Sequence, residues 1–124
     1  MSEMRHYREW ADGEHSRWVD AGNTFGRHLM NAARKYAFGC IPKSTDLKTT
    51  EIAQKAALDA IYGTMMLLDG VSDTKIDAEH QAEYVLHSRI RRTDTGEMLE
   101  EFELAPDGDG LCMGFHGWVA GGFG

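Results

Sequence analysis

The feature that most constrains this chain of 124 residues is a change of hydrophobic period near residue 82. Before it, apolar residues recur every three to four positions; after it, they alternate. A period near 3.6 collects apolar side chains on one helix face, and a period of 2 collects them on one strand face. The chain is therefore expected to be a single α+β domain over residues 1–124, with a helical half at 1–70 and a β half at 82–124.

In the helical half, Ser2 can cap a short helix carrying Met4, Tyr7, Trp10 and Ala11 on one face, interrupted at Asp12-Gly13. A longer helix is expected from Glu14 to Phe38, where Trp18, Phe25, Leu29, Ala32, Ala33 and Tyr36 keep helical spacing and Gly39 suits the C-cap. Gly22 and Gly26 lie four apart and share a face of bare backbone. A helical glycine costs about 1 kcal/mol relative to alanine, so a close packing partner is expected there. The candidate is a third helix, Thr50 to Asp69, whose Ala53, Ala56, Ala57, Ala60, Gly63 and Thr64 form a small-residue face and which stops at Gly70.

In the β half, Tyr84, Leu86, Ser88 and Ile90 alternate with Val85, His87, Arg89 and Arg91, the pattern of a half-buried strand. Asp94-Thr95-Gly96 reads as a hairpin turn and Met98 to Leu104 as the returning strand, with Glu100, Glu101 and Glu103 facing Arg89, Arg91 and Arg92. After a turn at Pro106 to Gly110, Leu111 to Val119 reads as a third strand ahead of a glycine-rich end. The expected architecture is about three N-terminal helices packed on a C-terminal three-stranded antiparallel sheet.

The net charge of −7 argues against a nucleic-acid or anionic-membrane binder. It is unevenly spread: residues 1–60 hold nine basic and eight acidic residues, residues 61–124 four and twelve. No basic residue follows Arg92, whereas Asp94, Glu97, Glu100, Glu101, Glu103, Asp107 and Asp109 do. The first residues lack the apolar core of a signal peptide and the run from Ala60 to Leu68 is too short to span a bilayer, which favours the cytoplasm. Cys40 and Cys112 are then expected to be reduced and partly buried.

Chemistry-bearing patterns are sparse, and no cofactor is expected. Asp107-Gly108-Asp109-Gly110 resembles the start of a calcium loop but lacks its remaining ligands, so it reads as a turn. Cys112 and His116, if extended, lie about 13 Å apart, too far to share a metal or a proton. His80, Glu83 and His87 would line one face only if helical, and the alternation there favours a strand. Asp59 follows Lys55 by four residues and reads as its ion-pair partner. No nucleophile elbow, phosphate loop or zinc-binding signature occurs.

Asp59-Ala60-Ile61-Tyr62-Gly63 followed by Leu67-Leu68-Asp69-Gly70 and an alternating strand resembles a pattern met in small uncharacterised bacterial proteins, some similar to immunity proteins of toxin systems. The resemblance spans about a quarter of the chain; it implies a binding role and carries over no catalytic residue. The leading expectation is thus a small acidic binding or accessory protein that engages a basic protein partner through Glu97, Glu100, Glu101, Glu103, Asp107 and Asp109, with Trp118 or Phe115 exposed beside them. The alternatives are a small metal-dependent hydrolase using His80, His87 or His116 with carboxylates, and a homo-oligomer formed by adding the glycine-rich C-terminal strand to another subunit's sheet edge.

Overall fold

The computed structural model describes residues 6–104 and 110–123. Three segments follow one another as a continuous helical stretch: α1 (Glu14–Leu29), a π turn (Met30–Arg34) and α2 (Lys35–Gly39). After a loop come α3 (Leu47–Leu68), the antiparallel strands β1 (His87–Arg91) and β2 (Met98–Glu103), and α4 (Gly110–Val119). The α+β class and the antiparallel hairpin are as the change of period implies. Ser2 and Met4 lie outside the described residues, and Tyr7–Glu9 forms a single 3-10 turn.

Local chemistry sets the helix ends. The Asp46 carboxylate accepts the Thr49 N–H at 2.8 Å and so starts α3 before Thr50. At its other end Gly70 takes a φ of +76°, the Val71 N–H reaches the Met66 carbonyl at 2.9 Å and the Gly70 N–H reaches Leu67 at 3.3 Å. That pair of bonds is a Schellman ending, which only a left-handed residue permits. The π turn buries Met30 to 1% exposure.

In the hairpin, Arg89 stands opposite Glu101 and Ser88 opposite Phe102, with a slip between Ile90 and Arg91. Ser88, Ile90, Glu100 and Phe102 form the more buried face. Gly96 closes the turn at a φ of +74°.

The main correction concerns residues 111–119, which form a helix and not a third strand, so the sheet has two strands among the described residues. The glycine-rich strand expected to recruit a second subunit is likewise absent from them. Leu111, Phe115 and Trp118 are all buried, and their spacing of four and three is the helical one. Gly114 and Gly117 lower the intrinsic helix propensity of this segment and mask its period.

Tertiary partners at both ends compensate. Both carboxylate oxygens of the buried Asp69 accept backbone N–H groups at the start of α4, Leu111 at 3.1 Å and Cys112 at 2.7 Å. At the far end the Arg34 guanidinium donates to the Val119 carbonyl at 3.2 Å. An anion at the N-terminus and a cation at the C-terminus satisfy orphan backbone groups and oppose the helix dipole.

Helix α4 packs on both α1 and α3, while α3 also meets α2 and the π turn. A Cβ at Gly26 would lie 2.2 Å from the Trp118 ring, whereas one at Gly22 or Gly63 would meet nothing within 4 Å. The bare backbone of α1 therefore receives Trp118, and the small-residue face of α3 is not its partner. Edge contact from Phe25, at a centroid distance of 5.9 Å, and a 3.1 Å bond from the Trp118 indole N–H to Asn23 Oδ1 complete this seat.

Candidate functional site

The acidic hairpin is held against α1 by one of its own carboxylates. Glu100, on the inner face of β2, receives the Arg17 guanidinium through both oxygens, with Nε at 3.1 Å, and also accepts the Tyr7 hydroxyl. Arg17 lies over the rings of Tyr7 and Trp10, at 5.1 and 5.6 Å from their centroids, and donates to the Ala11 carbonyl. The bond from Arg17 holds the Glu100 carboxyl below its ordinary range, while burial and then the bond to Glu100 push the Tyr7 hydroxyl up. Nearby, the Trp18 indole N–H donates to the Glu103 carbonyl at 2.7 Å.

These contacts divide the expected partner-binding residues. Glu100 anchors the hairpin. Glu101 is exposed but bonded to Arg89 at 2.6 Å, as the strand pairing suggests, and that bond lowers its pKa. Arg92 and Asp94 pair across the turn, and the Arg91 guanidinium donates to the Gly96 carbonyl. Glu97 and Glu103 are exposed, with no side-chain ion pair recorded among the described residues. Asp107 and Asp109, with the calcium-like turn, lie outside the described residues.

Trp118 is 3% exposed and Phe115 5%, which overturns the expectation that they stand in solvent beside the glutamates. Both are taken up by the core because the segment coils. Arg17 is the residue that sequence reasoning missed. No local spacing links positions 17 and 100; the available signal was an arginine following Tyr7 and Trp10 on an otherwise neutral half.

A second polar cluster surrounds the start of α4. Since Cys112 and His116 are four apart on a helix, they share a face, contrary to the separation expected of a strand. His116 stacks on Tyr62 at 5.3 Å and Tyr62 on Phe115 at 5.4 Å. Burial, followed by the bond to Asp69, pushes the Cys112 thiol up to about 11, and Tyr62 is raised by burial and by Cys112. This is the opposite of what activates a cysteine nucleophile. Cys40 is exposed and Cys112 partly buried, both as free thiols. Iodoacetamide at neutral pH is therefore expected to alkylate Cys40 first, with Cys112 modified only on unfolding; mass spectrometry of tryptic peptides checks the order.

The other histidines are not gathered into a site. His80 bonds to Asp77 at 2.8 Å in an exposed turn and His87 lies on β1. No group of three His, Cys, Asp or Glu side chains suited to a metal occurs among the described residues. A cleft of about 170 Å³ opens between α1 and α4, lined by Trp18, Val19, Gly22, Asn23, Leu111 and Trp118 among others. It falls below the roughly 300–1,000 Å³ of ordinary ligand pockets, and both of its indole N–H groups already have acceptors. No described helix is long and apolar enough to cross a membrane. Compared with protein-family models, curated proteins and solved structures, the chain matches none.

Proposed function

We propose that the protein is a small non-catalytic binding protein, immunity-like in its role, whose acidic hairpin engages a basic protein partner. The observation that carries this reading is the division of labour among the hairpin carboxylates. Glu100 is spent on fixing β2 to α1, which leaves Glu97 and Glu103 exposed near the two ends of a braced strand. Six residues of extended chain separate them by about 20 Å, so a partner would present two cationic groups at that spacing. A preordered strand loses little conformational entropy on association, and its carboxylates select and steer a cationic surface. The raised Cys112 thiol and the dispersed histidines favour this reading over a metal-dependent hydrolase.

The test is calorimetric titration with an arginine- and lysine-rich decapeptide at about 50 and about 200 mM salt. Wild-type protein should bind more weakly at the higher salt, and the double substitution Glu97→Lys, Glu103→Lys should remove the association. Failure of the wild type to bind at low salt, or unchanged affinity in the double variant, would overturn the proposal. Both positions are exposed, so the variant should keep its fold, which circular dichroism verifies.

A further inference from the structure

Helix α3 is apolar on two opposite sides. One side, with Leu58, Ile61, Met65 and Leu68, packs into or against the core. The other carries Ile52, 61% exposed, and Leu67, 36% exposed, with exposed Ala56 and Ala60 between them and open space above Gly63. Positions 52, 56, 60, 63 and 67 recur at helical spacing and so form one stripe. An apolar stripe on a helix is ordinarily covered by a packing partner.

We propose that this outer face of α3 packs antiparallel against the same face of a second copy, crossing near Ala56 and Ala60. The charges favour this occupant and this direction. Between Ile52 and Leu67 the helix has two charged residues, Lys55 and Asp59, exposed on one flank and bonded to each other at 2.8 Å. About a twofold axis near residue 57, Lys55 of each copy meets Asp59 of the other, giving two reciprocal pairs. A parallel pairing would put this flank of the two copies on opposite sides of the interface, where Lys55 and Asp59 of one copy could not reach those of the other. Alanine and glycine at the crossing permit the short end of the usual helix separation, about 8 Å.

Sedimentation equilibrium in the micromolar range tests the proposal. The wild type should be dimeric, and Ala56→Arg should raise the dissociation constant about 30-fold or more while leaving the circular dichroism unchanged. Lys55→Asp alone should weaken the dimer, and adding Asp59→Lys should restore it, because the swapped charges again pair reciprocally. A monomeric wild type, a dimer indifferent to Ala56→Arg, or a charge swap that fails to restore association would overturn the proposal. None of these variants touches the hairpin carboxylates, so the outcome is independent of whether a basic partner binds there.

Discussion

Replacing Gly26 with alanine should destabilise the protein by about 2 kcal/mol, although alanine is the better helix former by about 1 kcal/mol. The added carbon would lie 2.2 Å from Trp118, a separation that real contacts do not reach. Trp118 is buried, edged by Phe25 and bonded to Asn23, so its ring cannot swing aside without losing both partners. Relief requires α4 to move away from α1, and α4 is tied to α3 and to the π turn as well. Gly22→Ala is the internal control, because it sits one turn earlier on the same helix with nothing within 4 Å. It should stabilise by about 0.5–1 kcal/mol. Thermal unfolding should therefore shift in opposite directions, down by about 5–10 °C for Gly26→Ala and up by a few degrees for Gly22→Ala. Equal responses would mean that Trp118 does not rest on Gly26.

Asp69→Ala should cost about 3 kcal/mol, from two charge-assisted bonds and the loss of an N-terminal cap. The removed carboxylate is 4% exposed, and the Leu111 N–H it serves is buried, so water cannot replace it without opening the junction of α3 and α4. Asp69→Asn retains one acceptor oxygen and the side-chain volume, and should cost about 1 kcal/mol. Denaturant titration of the three proteins gives the order directly. A loss in Asp69→Asn as large as that in Asp69→Ala would mean that the negative charge at the end of the dipole, and not acceptor geometry, supports α4.

The parts of this fold legible in the sequence are those whose stabilising partners are local. The long helix from Glu14, the end of α3 at Gly70, the hairpin at Asp94-Thr95-Gly96 and the Lys55–Asp59 pair each rest on residues within about one turn of one another. What could not be read was everything that depends on distant partners. Leu111–Val119 has three glycines within or beside it and weak intrinsic helicity, and it coils because Asp69, 42 residues earlier, and Arg34, 85 residues earlier, satisfy its ends. An extended chain at 111–119 would leave Trp118 and Phe115 in solvent and Gly26 without the ring that packs on it, so both features depend on those distant partners.

The candidate site divides in the same way. Its acidic character and the facing of Arg89 and Glu101 follow from strand alternation. The conversion of Glu100 from a surface charge into an anchor depends on Arg17, 83 residues away, and on Tyr7. Charge counting therefore located the acidic surface but could not separate the carboxylates that fasten the hairpin from those left to face a partner.

The central structural claim is that residues 110–119 are a helix, buried along the face of Leu111, Phe115 and Trp118 and held at its start by Asp69, and amide hydrogen exchange at Leu111 and Cys112 tests it most directly. In the wild type these two amides should exchange among the slowest in the protein, through near-global opening, and in Asp69→Ala they should be the amides that lose most protection. Fast exchange at both positions in the wild type, or protection unchanged by removal of the carboxylate, would contradict the account.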